Sequence, residues 1–291
     1  MINAGPNITT TARTGAVVVV SGQVTRTVMV TQPPLPRVSI TWHPNGGTVN
    51  PLSSNIASRV AFNNFLSIPP TPTRTGYRFD GWFTQQTGGN PIPDIVPSSN
   101  AAYWARWSLP RSGSEIPYQP SLWANHMRWN NCYTYAINRR LGSAVPGEVP
   151  GEWSDKQYQR YFTTDGMSVS QALIAACTAD AVALGGVFYR YTGGAIPTGH
   201  YIIALAIEGE GWIDTSQGRR VSEYHFYRPD AGANTWSHKR GNSDIITQRD
   251  ASNNIITNPE TANRNYPENN YRIFVGYFVV GGNYVGNSST W

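Results

Sequence analysis

The chain is expected to be multidomain, with a β-rich N-terminal half followed by an α+β domain. Three observations carry that reading. Across residues 13–108 apolar and polar residues alternate in short runs bounded by Gly, Pro and Asn, the period of half-buried strands. From Ser121 onward the pattern becomes mixed, with helical spacings set among apolar strand-like runs. Composition agrees: 28 Gly and 21 Pro in 291 residues, with only 13% charged and 40% hydrophobic, suit short strands joined by turns in a secreted or virion-type protein. The 10 Trp and 16 Tyr supply core anchors or stacking surfaces.

Net charge is +5, yet the basic residues are scattered, and their densest clusters are pairs such as Arg139-Arg140, Arg219-Arg220 and Lys239-Arg240. A nucleic-acid binder concentrates its charge on one patch, so that class is set aside in favour of general attraction to an anionic cell-envelope surface. The start, Met1-Ile2-Asn3-Ala4-Gly5-Pro6, lacks the basic and apolar regions of a signal peptide. No apolar run approaches the roughly 20 residues of a membrane span. An extracellular, cell-surface or virion-associated protein is expected.

Residues 1–35 form the first part. Ala16-Val17-Val18-Val19-Val20 is a β-branched run, Ser21-Gly22 turns, and the alternation from Val24 to Gln32 returns, which makes a hairpin. The order Arg-Thr-Gly, apolar run, Gly, then Thr-Val-x-Val-Thr-Gln resembles the last two strands of a BACON domain, implying a partial immunoglobulin-like module. Two strands alone are marginal in water, so support from the preceding dozen residues or a neighbour is expected. Pro33-Pro34-Leu35-Pro36 reads as a stiff linker.

Residues 36–108 form the second part. Val38-Ser39-Ile40-Thr41-Trp42 alternates, Pro44-Asn45-Gly46-Gly47 turns, and Pro70-Thr71-Pro72-Thr73-Arg74-Thr75-Gly76-Tyr77-Arg78-Phe79-Asp80-Gly81-Trp82 leads into a strand. Tyr103-Trp104-Ala105-Arg106-Trp107 closes the unit. These motifs resemble the internalin-type B-repeat (Listeria–Bacteroides repeat), with His43 where that signature carries an acid. The resemblance implies a small β-grasp-like spacer or adhesive module of surface proteins. Gly76 and Gly81 are expected at special backbone conformations, and Tyr77, Phe79 and Trp82 in a small core. Residues 109–120 read as a linker.

In the part spanning 121–291, Trp129-Asn130-Asn131-Cys132-Tyr133-Thr134-Tyr135 is the focal stretch. Asparagine is a favoured helix cap, Tyr133, Ile137 and Leu141 fall at spacing four, and Gly142 supplies a stop. Cys132 in the first turn is either a thiolate nucleophile favoured by the helix dipole or a buried, inert cysteine. A loop rich in Gly, Pro and Glu runs over 142–151. A second helix is expected over 168–184, capped by Ser168, with Cys177 in the core. A Cys132–Cys177 disulfide stays open, but two cysteines make no framework. Strands follow over 187–191, 201–208, 211–214, 224–228, 245–248 and 271–280, the last central in its sheet because both its faces are apolar.

A nucleophilic thiol needs a base, and the base needs an orienting group. Among the five histidines, His200 opens an apolar strand, and a turn at Glu208-Gly209-Glu210-Gly211 is expected to return the chain to Asp214 beside it. A cysteine at a helix start, then a strand opened by His and a return carrying Asp, resembles the papain-like superfamily in the wide sense. The likeness extends to CHAP and NlpC-type amidases and transglutaminase-like hydrolases, over residues 121–215. It implies a thiol peptidase or amidase with Cys132 as nucleophile, His200 as base and Asp214 as orienting acid. Peptidoglycan or surface peptides are the implied substrates; a protein-cleaving protease and a non-catalytic adhesin or virion protein are the alternatives. His126 stands where such proteases carry an oxyanion glutamine, leaving the Cys132 N–H with Asn131 or Asn130 as donors. Trp236 and His238 either line a substrate groove or pack a loop. Asp250 lacks the spacing of a calcium loop, and Cys132, His200 and His238 lack a paired-ligand motif for zinc, so no cofactor is expected.

Overall fold

The computed structural model describes residues 7, 11–33, 37–49, 60–61, 69–93, 97, 99–142, 149–215, 218–241 and 245–286. The chain divides into two compact units, Met1–Leu109 and Pro110–Trp291. Residues 1–6, most of the 33–36 linker and most of the 142–151 loop lie outside the described residues. The protein is β-rich, and no helix among the described residues is long and apolar enough to cross a membrane.

The first unit opens with β1 (Arg13–Ser21) and β2 (Val24–Gln32), paired antiparallel from Arg13↔Gln32 to Ser21↔Val24, the expected hairpin. Its further strands are β3 (Arg37–Val38), β4 (Ile40–His43), β5 (Thr48–Val49), β6 (Val60–Ala61), β7 (Pro72–Thr73), β8 (Arg78–Phe83) and β9 (Ala101–Ser108). β9 lies between β4, its parallel partner, and β8, its antiparallel one. Ile40, Trp42, Trp82, Tyr103 and Ala105 form the core, with Phe79 and Trp107 packed against it. Gly81 stands at φ +124 beside a register shift in the β8–β9 ladder, a conformation that a side chain would strain. Tyr77 is a correction: it lies half-buried outside that core, because the Arg74 guanidinium covers its ring at 3.8 Å.

Among the described residues the second unit packs three helices, α1 (Cys132–Ala136), α2 (Tyr158–Asp165) and α3 (Val169–Ala183), and a 3-10 helix over Pro120–Trp129. Its strands are β10 (Gly186–Arg190), β11 (His200–Ile207), β12 (Trp212–Thr215), β13 (Gly218–Val221), β14 (Tyr224–Pro229), β15 (Trp236–Lys239), β16 (Ile246–Thr247) and β17 (Ile273–Gly282). Six of them make one sheet, ordered β10-β17-β11-β14-β15-β16. β17 is interior, as its two apolar faces require. α3 follows the expected bounds: Ser168 and Gln171 cap its start reciprocally, and Gly185 takes φ +72 after its end. Asp180 on α3 accepts from Tyr133 Oη and from the Gly151 and Ser154 N–H groups, tying α1 and the 149–155 turn to one buried carboxyl.

Two further expectations are corrected. α1 is one turn and does not run on to Leu141, because Asn138 adopts φ +52 and spends its side chain on Gly286 O and Arg228. Residues 110–119 are no free linker: Arg111 donates to Thr235 O, Ser112 to His200 O, and Tyr118 to Ile246 O. Ser168→Ala is expected to lower stability by about 1 kcal/mol through loss of the cap, which for a unit of this size is about 2–4 °C in Tm. A thermal melt followed by circular dichroism checks it.

Candidate active site

Asn131 sets the position of Cys132. Its side-chain oxygen accepts from the N–H groups of Tyr133 (2.9 Å) and Thr134 (3.3 Å), and the Thr134 hydroxyl accepts from Asn131 N in return (3.1 Å). This capping box makes Cys132 the first residue of α1, as the two asparagines suggested. α1 packs on β14 and β15.

The sulfur enters the sheet from its open side. Glu208 N donates to Glu223 O, so odd-numbered residues of this stretch bond toward β11, and even-numbered ones point the other way. On that other side β15 pairs with β14 at Arg228↔Ser237 and Pro229↔Trp236, beyond the 224–226 stretch. The Cys132 sulfur occupies the vacated edge. It lies 3.8 Å from Tyr224 O, and the nearby Phe226 N–H favours its charged form; these are the backbone groups on either side of His225. Burial pushes the thiol up to about 12, and the Phe226 N–H offsets only part of this. Of the two readings left open for Cys132, burial favours the protonated, buried thiol in the resting chain: one helical turn aligns too few peptides to outweigh desolvation. Cys177, in the core, is pushed up as well, and both cysteines are free thiols.

His225 projects from the opposite face of β14. Its Nε2 lies 2.7 Å from His238 Nδ1, and His238 Nε2 lies 3.0 Å from Arg249 O. Burial holds both imidazoles neutral at neutral pH, with His225 well below its usual range and His238 at about 4. Their tautomers follow. A carbonyl only accepts, so His238 carries its proton on Nε2 and offers Nδ1 as an acceptor. His225 must then donate from Nε2, which leaves His225 Nδ1 as a bare lone pair. That Nδ1 is buried and has no hydrogen-bond partner among the described residues. An unsatisfied acceptor of this kind needs an explanation, and a proton acceptor in waiting is one.

The His225 ring stacks on Tyr271 (4.8 Å between centroids, 22° between planes). A cavity of about 340 Å³ opens here, lined by His225, Arg240, Ile245, Tyr266, Glu268 and Tyr271. Around the β14–β15 turn two buried charged groups gather partners. Asp230 accepts from Ser237, Thr235 and Gln248, and Arg228 donates to Tyr135 O and Asn138.

The expected triad is not brought together. Leu205 is the residue opposite Phe226, and His200 lies five residues earlier on β11, about 17 Å along a strand. The His200 ring covers Gly281, where a Cβ would sit 2.1 Å from it, and its Nδ1 lies 3.0 Å from Thr198 O. Asp214 does not return beside His200, because β12 pairs with β13 instead of β11. Its carboxylate meets Arg219 at 3.2 Å, with the side chain 86% exposed. Asn130 is no oxyanion donor: it holds His126 O and both backbone groups of Leu141. Trp236 is buried against Tyr277 rather than lining the cavity. His238 does join the site. His225, which the sequence reading passed over, had one signal: His225 and Tyr227 share a face of one strand with Trp236 and His238 across a short turn.

Against known families, the first unit has a firm counterpart. Residues 39–102 match the Listeria-Bacteroides repeat domain. The match lies within the expected 36–108, and its Ile40, Trp42 and Trp82 belong to the core described above. No curated protein matches the chain. The likenesses of the hairpin to a BACON domain and of the second unit to papain-like hydrolases rest on the residues quoted for them.

The neutral histidines set a pH dependence. Their folded pKa values lie below the unfolded value near 6.5, so the unfolded chain takes protons first as pH falls. The stability they permit is whole above about pH 6.5 and is lost toward pH 4, at up to about 1.4 kcal/mol per pH unit for each. Urea unfolding at a series of pH values in that window is expected to show this slope, and His238→Asn to flatten it.

Proposed function

We propose that the second unit is a cysteine hydrolase that cleaves amide bonds through a thioester, with Cys132 as nucleophile, His225 as base and His238 as the group that orients it. One observation carries the reading: a buried imidazole with a bare Nδ1 belongs to the residue whose flanking backbone groups touch the thiol. His225 and His238 replace His200 and Asp214 in the roles expected of them.

In the proposed step His225 Nδ1 takes the thiol proton while sulfur bonds to the carbonyl carbon. The C–N bond then breaks, and the same proton passes to the leaving amine. Water next attacks the thioester, giving a proton to His225, which returns it to sulfur as the acid departs. Because the resting thiol is protonated, attack and proton transfer go together. The Cys132 backbone N–H is the oxyanion donor retained from the sequence reading. The cavity beside His225, with Tyr266 and Tyr271 on its walls, suits a peptide side chain.

The Listeria-Bacteroides repeat favours a surface or extracellular setting, since such repeats occur in surface proteins. Peptidoglycan stem peptides and other surface peptides are accordingly the proposed substrates, an inference by analogy. A papain-like fold for this unit belongs to the same proposal. The deep burial of Cys132 favours a second reading, a non-catalytic adhesin or virion protein.

Release of new amino groups from purified cell walls and from unfolded protein decides between them. Cys132→Ala and His225→Ala are expected to reduce it on the order of a thousandfold. His200→Ala and Asp214→Asn are expected to leave it near wild type. No release by the wild-type chain from either substrate sinks the hydrolase reading.

A further inference from the structure

We propose that Tyr271 is a positioning residue for His225, its ring face stabilising the positive charge that forms when the imidazole takes the thiol proton. The proposal rests on the hydrolase reading, but proton uptake by His225 can be followed without amide cleavage.

Tyr271 is buried just ahead of β17, and its backbone is fixed on both sides. Its N–H donates to Arg264 O at 3.1 Å, and its carbonyl accepts from Arg264 Nε at 2.9 Å. That anchor lays the phenol ring along His225, with 4.8 Å between centroids and 22° between planes. An aromatic face carries negative potential, and a cation within about 6 Å of its centroid is attracted to it, more strongly where water is excluded. Neutral imidazole gains little from such a face. Imidazolium gains much more.

The other groups around His225 supply no anion. His238 on β15 accepts from His225 Nε2 as a neutral ring. Tyr227 on β14 stands at 77° to the imidazole, and Tyr266 is farther away, at 6.0 Å. Arg240 opposes a further positive charge; it pairs with Glu268 and covers Tyr266. Among the described residues no carboxylate forms a hydrogen bond or ion pair with His225. In a triad whose third member is an acid, that acid offsets the imidazolium charge. Here the third member is the neutral His238, so the stacked ring of Tyr271 is the group placed to do it.

Alkylation of Cys132 by iodoacetamide at neutral pH tests this. The sulfur bonds to the methylene carbon, iodide leaves, and the thiol proton passes to His225 and then to solvent. The rate, read by peptide mass spectrometry with Cys177 as the internal control, therefore follows the stability of the imidazolium. Tyr271→Phe keeps the ring face and is expected to keep most of the rate. Tyr271→pentafluorophenylalanine keeps nearly the same shape but makes the face electropositive. It is expected to slow Cys132 about tenfold, with the Cys177 rate and the unfolding midpoint unchanged. Equal Cys132 rates in these two variants overturn the proposal and mark Tyr271 as a packing residue. His225→Ala, run beside them, separates the two ideas. If it slows Cys132 while the two ring variants agree, the base stands and only the role of Tyr271 falls; if it does not, the base assignment falls as well. A tenfold difference between the ring variants in a chain that releases no amine supports Tyr271 and sinks only the hydrolase.

Discussion

The carbonyl of Arg249 determines the protonation of the candidate site. It can only accept, so it draws the proton of His238 to Nε2, and that choice passes through a 2.7 Å contact to His225. Two neutral imidazoles in series then leave one lone pair, at His225 Nδ1, without a partner. If burial did not hold both rings neutral, their facing nitrogens would carry like charges. The rings of Tyr227, Tyr266 and Tyr271 pack around His225 and add to that burial.

The backbone supplies the matching half. β14 is paired with β11 over Tyr224–Tyr227 and with β15 only at Arg228 and Pro229. The unpaired stretch leaves a carbonyl and an N–H pointing at nothing in the sheet, and the Cys132 sulfur meets both. The divergence is held rather than loose. Asp230 gathers Thr235, Ser237 and Gln248 at the turn, and Arg228 anchors β14 to the end of α1. Buried polar networks of this kind rigidify when every member is satisfied. Here every named member is bonded except the atoms assigned to chemistry and a few donors, among them Arg228 Nε.

Local features were legible in the sequence where local chemistry decides them. The Asn131 cap, the Ser168 cap, the β1–β2 hairpin and the aromatic core of the repeat all depend on neighbours within a few residues. The length of α1 was not, since the residue that stops it, Asn138, does so by bonding Gly286 and Arg228 far along the chain. The expected meeting of His200 and Asp214 failed for the same reason. An apolar strand opened by His200 and a Gly-rich turn before Asp214 suggest a hairpin, but which strands pair is set by the whole sheet. β17, from the far end of the chain, takes the place beside β11, and β12 leaves the sheet to pair with β13. His225 and His238 carry no local mark beyond their shared face.

Nitrogen NMR of histidine-labelled protein at neutral pH bears most directly on the coupling of His225 to Cys132. The tautomer chain predicts His225 and His238 both neutral, both protonated at Nε2, with the His225 Nδ1 resonance moving when Cys132 is replaced by alanine and the His238 resonances nearly still. A His225 protonated at Nδ1, or an Nδ1 resonance indifferent to the loss of the thiol, would contradict it.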